Sequence, residues 1–172
     1  MTIERDIDPS ARRELDRQES AETLLVFLTI RHANLPEDVR VVSDPVDYVL
    51  DGNTFQGFMF DIQLLSDTDA PPTTRLTLQN VDERIGDAIL SVPTRARLDF
   101  EVIAASQFDL TQNPRVPLAT PVQRIYAARH LALTDVDGDV LQLSGTIRSY
   151  DYTQEAWPAM RATQLGFPGL YL

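Results

Sequence analysis

The stretch YVLDGNTFQGFMFDI, residues 48–62, holds two short apolar runs separated by an Asp-Gly-Asn triplet. Such a triplet either binds a ligand or forms the corner at which the chain reverses. The positive φ angles of a two-residue hairpin loop favour Asp-Gly and Asn-Gly. We therefore predict a tight turn at Asp51–Gly52 between two strands, 47–50 and 53–57, and not a binding site.

The run that follows, FMFDIQLL over 58–65, alternates along its length, with Phe58, Phe60 and Ile62 on one side and Asp61 on the other. A period of two residues is typical of a half-buried strand. Similar short runs predict further strands at 23–30, 39–42, 75–80, 95–105, 122–134 and 139–150. The chain is therefore predicted to be mainly β.

The strand predicted at 23–30, TLLVFLTI, is apolar on both faces. Leu25 and Phe27 share one face, and Leu24, Val26, Leu28 and Ile30 share the other. A strand of this kind has to be covered on both sides. We expect the N-terminal helix or another subunit to provide a cover, which makes Leu25 and Phe27 candidate interface residues.

Two segments have helical signals. Asp8-Pro9 is a typical helix start, and it predicts an N-terminal helix over about 9–20. The segment VDERIGDAILSV places its apolar residues on one helical stripe, which predicts an internal helix over about 81–92. Short strands with one internal helix favour an α+β, mainly β fold, an antiparallel barrel or a sandwich.

The last twenty residues differ from the rest of the chain, because apolar residues there are interrupted by prolines and glycines. An apolar terminal arm usually docks on its own domain or on a neighbouring subunit. We predict three parts: an arm over 1–20, a barrel-like domain over 21–152, and a docking arm over 153–172. The candidate interface residues of the docking arm are Trp157, Met160, Leu165, Phe167, Leu170 and Tyr171.

Composition excludes several classes of protein. The formal net charge is −11, from 26 acidic and 15 basic residues, which argues against a protein that clamps nucleic acid. Cysteine is absent, which removes disulfides, thiolate metal sites and a cysteine nucleophile. No signal peptide and no apolar run long enough to span a membrane is evident, so we expect a soluble protein made in the cytoplasm.

Every basic residue is an arginine, since lysine is absent. A genome-wide preference for arginine codons is the explanation that we favour. The alternative is that arginine serves planar, bidentate contacts in protein interfaces.

The segment DVDGD resembles the start of a calcium loop, with Asp135, Asp137 and Asp139 as ligand candidates. A calcium loop that starts at Asp135 requires a glutamate at its twelfth position, which holds Thr146. The flanking segments are also predicted strands, so a hairpin turn is favoured over weak calcium binding.

No catalytic group emerges from the sequence. Asp61, Asp99 and Glu101 lie on predicted strands opposite the apolar faces, where nothing would bury them as catalytic acids require. His32 and His130 have no metal-ligand spacing and are predicted at strand ends. We expect no enzymatic activity, no cofactor and no metal.

Five short motifs occur in the same order as in a known family. They are ARRELDRQESAETLLVFLTIRH, VRVVSD, GNTFQGFMFDIQL, RLTLQNVDERIGDAI and the terminal Phe167-Pro168-Gly169. In this order the chain resembles the phage minor tail protein family, a domain of unknown function. It is similar to the N-terminal region of the tail-tip protein L of lambda-like siphophages.

The resemblance implies a structural virion protein of the distal tail, the hub or a tail-tip adaptor. It implies assembly in the host cytoplasm with tail-tube, distal-tail and hub proteins. It also implies a homo-oligomeric ring, three- or six-fold, through which DNA passes without specific binding or membrane insertion. Some relatives hold an iron–sulfur cluster on cysteines beyond this region, which a chain without cysteine cannot do.

The acidic charge suits a DNA conduit, because like charge keeps a duplex from adhering. We expect Asp61, Asp99 or Asp109 to line the channel. The alternative function is a receptor- or carbohydrate-binding β-domain at the tail end, with Tyr150, Tyr152 and Trp157 as its aromatic platform.

Overall fold

The computed structural model of the protein describes residues 3–4, 9, 12–13, 16–32, 35, 37–63, 65, 73–79, 95–138, 142–149, 166 and 169. These residues contain ten β-strands. The strands are β1 (Ile3–Glu4), β2 (Leu24–Arg31), β3 (Val39–Val42), β4 (Tyr48–Leu50), β5 (Asn53–Gly57), β6 (Phe60–Ile62), β7 (Thr73–Gln79), β8 (Ala96–Ala104), β9 (Tyr126–Gly138) and β10 (Gln142–Arg148). A short 3₁₀ turn, Ala105–Gln107, follows β8. The mainly β prediction is confirmed.

The predicted turn at Asp51–Gly52 is also confirmed. Both residues have positive φ angles, 49° and 77°, and Leu50 pairs with Asn53 across a two-residue loop. These are the backbone angles that a hairpin of this length requires.

The strands form one mixed sheet in the order β4-β5-β3-β2-β8-β9-β10-β7-β6, and β1 pairs with the beginning of β9. All pairings are antiparallel except that of β3 with β5, which is parallel. The described strands do not close into a barrel, so the predicted antiparallel barrel is corrected to an open mixed sheet.

The sheet is nevertheless strongly curled. Strands β5 and β6 lie seven strand spacings apart along the sheet, which would be about 34 Å if it were flat. Only Phe58 and Met59 connect them, and three residue steps span at most about 11 Å. The chain can make this connection only if the sheet bends back and brings its two ends together.

Curling encloses one face of the sheet, which we call the inner face. Its side chains come from the strands between β3 and β6 in the sheet order and form one buried cluster. The members that are most fully enclosed are Leu28, Ile30, Val41, Leu98, Phe100, Ala128, Leu131 and Ile147. Alternation along β2 and β8 is what places these residues together, since Leu28 pairs with Phe100 and Ile30 with Leu98.

A second buried cluster lies on the outer face. Phe27 is only 1 % exposed, and its ring contacts those of Tyr48, Phe55 and Phe108 at centroid distances of 5.2–5.7 Å. The β4–β5 hairpin and the loop over 105–125, named the covering loop below, supply these partners. The chain therefore covers both faces of β2 itself, and neither a helix nor another subunit is needed for this.

The predicted helices do not appear among the elements of the described residues. Pro9, Arg12 and Arg13 have helical backbone, but Asp16 is in a turn and residues 17–19 are bends, so the predicted N-terminal helix does not continue to Ser20. A short helix without an apolar stripe gains little from packing, which explains the early stop. The predicted helix at 81–92 and nearly all of the arm at 153–172 lie outside the described residues.

Candidate functional site

A polar cleft of about 380 Å³ opens on the outer face. It lies beside the aromatic cluster, the name used below for the buried rings of Phe27, Tyr48, Phe55 and Phe108. Strands β2, β3, β8 and β9 form its base, and the β4–β5 turn forms one wall. Its apolar lining comes from Phe27, Leu50 and Phe55. Its charged lining consists of Arg31, Arg40, Asp51, Asp99, Glu101, Arg124 and Arg129, and His130 lies beside them.

A β-bulge in β9 shapes the middle of this cleft. The β8–β9 register shifts between Leu98 and Phe100, and His130 has a φ angle of 62°. Its backbone N–H donates to Asp99 Oδ1 at 2.7 Å. A bulge leaves a backbone group without its ladder partner, and Asp99 satisfies it here.

Two chains of ion pairs cross the cleft. In the first, Arg31 donates to Asp99 Oδ2 at 2.5 Å and lies 3.4 Å from Asp38 Oδ2. Arg40 donates to the same Asp38 oxygen at 2.7 Å. Asp99 therefore holds a backbone bulge and an arginine together, and Asp38 joins two arginines.

The second chain of ion pairs centres on Glu101. Arg124 Nε donates to Glu101 Oε2 at 2.7 Å, and Arg129 donates to Glu101 Oε1 at 2.9 Å. Arg124 also donates to Asp51 of the β4–β5 turn. Burial lowers the pKa of Arg124, but Glu101 and Asp51 outweigh this and raise the pKa above its ordinary value. The turn at Asp51 is thus both a corner of the chain and a wall of the cleft.

The carboxylates of the cleft are already occupied by ion pairs, whereas two of its arginines have donors to spare. Its carboxylates Asp99 and Glu101 are each engaged by guanidinium groups, so neither can meet a ligand without first breaking an ion pair. Arg40 and Arg129 are different, because among the described residues each makes one hydrogen bond and a guanidinium has five N–H donors. Their remaining donors suit a carboxylate or another oxyanion. No cluster of potential metal ligands occurs in the described part of the chain.

The covering loop is firmly attached to the sheet. Its ends bond to neighbouring backbone, Ala105 N–H to Thr23 and Ile125 N–H to Val102. Gln107 and Gln123 exchange two hydrogen bonds of 2.7 Å across it. A loop tied down in this way presents its exposed side chains in fixed positions.

Arg115 joins the covering loop to the edge of β4. Its backbone N–H donates to the Asp47 carbonyl, and its carbonyl accepts from Val49 N–H, both at 2.8 Å. Its side chain donates to Tyr48 Oη at 2.5 Å and lies 3.4 Å from Asp44. Burial raises the pKa of Tyr48, whose side chain is fully enclosed. This contact also protects an edge strand that would otherwise present unpaired backbone.

Two large apolar side chains project from this fixed loop. Leu110 is 51 % exposed and Leu118 is 66 % exposed. Both belong to a loop whose backbone is bonded to the sheet, so their positions on the surface are fixed. The sequence did not single out either residue, since each stands alone among prolines and polar residues.

The residues predicted to line a channel are not brought together. Asp61 is exposed on β6, on the side opposite Phe60 and Ile62, which pack on the inner cluster. Asp99 lies in the cleft and is 14 % exposed, which corrects the expectation that it faces solvent. Asp109 is in the covering loop, where the hydroxyl and the N–H of Thr111, then Gln112, donate to it and lower the pKa of its carboxyl.

The turn predicted at DVDGD is displaced: β9 continues through Asp135 and Asp137 to Gly138 and pairs there with β10, so both residues lie on a strand of the β9–β10 hairpin and not in its turn. Asp135 occupies a second bulge with a φ angle of 52° and pairs with Arg148 at 2.9 Å. Asp139 lies outside the described residues. Of the interface candidates, Leu25 and Phe27 are buried within the chain, and the six in the arm lie outside the described residues.

The arginines of the cleft were missed by sequence reasoning, because each lies in a different strand or loop and only the curled sheet gathers them. His130 was expected at a strand end and lies within β9 instead.

No helix in the described segments has the length and apolar character needed to cross a bilayer.

Comparison with known proteins gives the family but no named relative. No curated protein matches the chain. The model of one family, described as "Domain of unknown function (DUF1833)", matches residues 10–162, which is most of the chain. The chain therefore belongs to the DUF1833 family.

Proposed function

We propose that this chain is a structural component of a bacteriophage tail, in the distal tail, the hub or a tail-tip adaptor. In this role it assembles with copies of itself into a ring around the DNA channel and contacts other tail proteins. Membership of a family that spans nearly the whole chain is consistent with the resemblance of its motifs to phage minor tail proteins.

The observation that carries the proposal is the exposure of Leu110 and Leu118 on the covering loop. Large apolar side chains held in fixed positions on a surface can pack in the core of a protein interface. A loop that served only to cover Phe27 would need Phe108 and Val122, which are buried, and not these two leucines. Their exposure on one fixed loop supports a protein contact at this surface.

The negative charge fits the same role. A subunit with a net charge of −11 repels DNA, so a channel made from such subunits lets a duplex pass. Asp61 and Asp109 are the candidates for its lining, because Asp99 is neutralised by Arg31.

The test is the double variant Leu110→Ser/Leu118→Ser, with Met59→Ser as the matched control. Met59 is 57 % exposed and lies in the β5–β6 connection, which is not part of the covering loop. Exposed substitutions change the free energy of unfolding by about 0.5 kcal/mol or less, so all variants should fold. We expect sedimentation velocity to show association of the wild type and the control, and weaker association of the double variant.

A wild type that stays monomeric at every accessible concentration would contradict the ring. The phage assignment has its own test, since antibodies against the chain should label the tail end of virions in electron micrographs. Label on the capsid, or absent from virions, would refute it.

The second candidate is a receptor- or carbohydrate-binding domain, and the cleft is the observation in its favour. A volume of about 380 Å³ lies within the range of small-ligand sites. Its polar groups are largely paired with one another, however, so sugar hydroxyls would have to compete with ion pairs. The aromatic platform Tyr150, Tyr152 and Trp157 lies outside the described residues.

A further inference from the structure

The cleft gathers arginines on a protein that is otherwise acidic. Four of the fifteen arginines line it together with three carboxylates, which gives a formal charge of +1, while the chain as a whole has a net charge of −11. Copies of such a chain repel one another unless acidic groups of one meet basic groups of the next. A ring of these subunits therefore needs a place where carboxylates of a neighbour are neutralised.

Arg40 and Arg129 can provide that place. Both are half-buried at the cleft, and each uses one of its five N–H donors on a carboxylate of the described residues. Guanidinium donors that are already oriented by an ion pair lose little freedom when they bind a second carboxylate.

The matching acidic surface lies at the end of the β9–β10 hairpin. Asp135 and Asp137 are exposed there, and Asp139 follows in the sequence. Asp135 has a partner in Arg148, but Asp137 has none among the described residues. Asp135 and Asp137 project from β9 where it pairs with β10, so the backbone that carries them is fixed.

The hairpin end cannot reach the cleft of its own chain. Asp137 and Arg129 are eight residues apart on the same strand, which is about 26 Å in an extended chain. Contact between the two surfaces has to be made between different copies. It joins two unlike patches, and head-to-tail contacts of this type generate rings when the rotation closes.

We propose that the cleft of one copy receives the acidic β9–β10 hairpin end of the next, with Arg129 and Arg40 bound to carboxylates that include Asp137. The inference rests on the proposed ring and adds its contact surfaces. The cleft holds a few side chains, so the hairpin end docks by its carboxylates, and the covering loop supplies the apolar part of the interface.

Charge reversal tests the contact. Asp137→Arg and Arg129→Asp should each weaken self-association about tenfold or more at low salt, and the double variant should recover most of the loss. Raised salt should weaken the wild type as well. Arg75→Asp, an exposed change on β7, is the control and should have no effect on association. Thermal unfolding checks that each variant folds.

Disulfide trapping gives a second readout, because the chain has no cysteine of its own. The variant Arg129→Cys/Asp137→Cys should form covalent chains of several copies on oxidation, while either single variant should form dimers at most. The Arg75→Cys/Asp137→Cys control should not form them.

Each outcome has a separate meaning. If the wild type associates but neither charge reversal nor trapping has an effect, the cleft is not the contact, and the proposed ring stands without it. If the single reversals weaken association but the double variant does not recover, Asp137 is not the partner of Arg129, and the inference is overturned. A wild type that never associates overturns both.

Discussion

Replacement of Phe27 by alanine separates a core residue from an interface residue. Phe27 is 1 % exposed and its ring contacts Tyr48, Phe55 and Phe108. A buried phenylalanine removes about 150–250 Å² from water, which at about 25 cal/mol per Å² gives an upper estimate near 4–6 kcal/mol. Phe→Ala changes in cores cost about 3–5 kcal/mol, so we expect a loss of about 4 kcal/mol.

Urea denaturation followed by circular dichroism measures this loss. With a slope of about 2–3 kcal/mol per M, the midpoint should fall by about 1.3–2 M. Should Phe27→Ala fail to fold, Phe27→Leu keeps most of the apolar volume and should lose about 1–2 kcal/mol. Leu118→Ala is the control, because its side chain is 66 % exposed and its midpoint should hardly change.

The opposite result would refute the reasoning. If Phe27→Ala keeps the wild-type midpoint but abolishes self-association, Phe27 packs against a neighbouring subunit, and the aromatic cluster is not the cover of β2.

Three further predictions follow from single contacts. Gly57→Ala places a Cβ 2.6 Å from the Pro45 carbonyl carbon and should lower the free energy of unfolding, measured by urea denaturation, by about 1–3 kcal/mol. An unchanged urea midpoint would contradict the close approach. Burial raises the pKa of Tyr48 above 10.0, so the stability that its neutral form contributes is present below pH 10.0 and is lost as the pH rises through the folded-state pKa. An absorbance titration should show one tyrosine that ionises at higher pH than the others, and Tyr48→Phe should remove this step. Asp99→Ala leaves the His130 N–H without its acceptor, so it should lower the free energy of unfolding by about 1–3 kcal/mol and speed hydrogen exchange of that amide. Hydrogen exchange at the wild-type rate would mean that Asp99 does not hold the bulge.

Local features of the fold were readable from the sequence. Asp51-Gly52 specifies its turn because few residue pairs accept two positive φ angles in succession. Alternation in FMFDIQLL and RARLDFEVIAA marks strands because a half-buried strand has a period of two residues. These signals depend on neighbours in the chain, so no knowledge of distant contacts is needed to interpret them.

The cleft and the open sheet were beyond such signals. Arg31, Asp99, Glu101 and Arg124 meet only because β2 pairs with β8 and the hairpin turn at Asp51 folds over them. Sequence alternation placed Asp99 and Glu101 opposite the inner core correctly, but it could not show that this side is itself covered. The cover of Phe27 was assigned to a helix or a subunit for the same reason, since Phe55 and Phe108 lie 28 and 81 residues away in the sequence.

Phe58 and Met59 connect β5 to β6 and so hold the two ends of the curled sheet together covalently. No ladder of hydrogen bonds between described strands joins these two ends, so the length of this connection sets how far apart they can move. One residue added between Gly57 and Phe60 should let the circumference relax by up to about 3.5 Å. The same insertion at the tip of the β9–β10 hairpin would leave the circumference of the curled sheet unchanged. The protein should therefore tolerate length variation at the hairpin tip and not between Gly57 and Phe60.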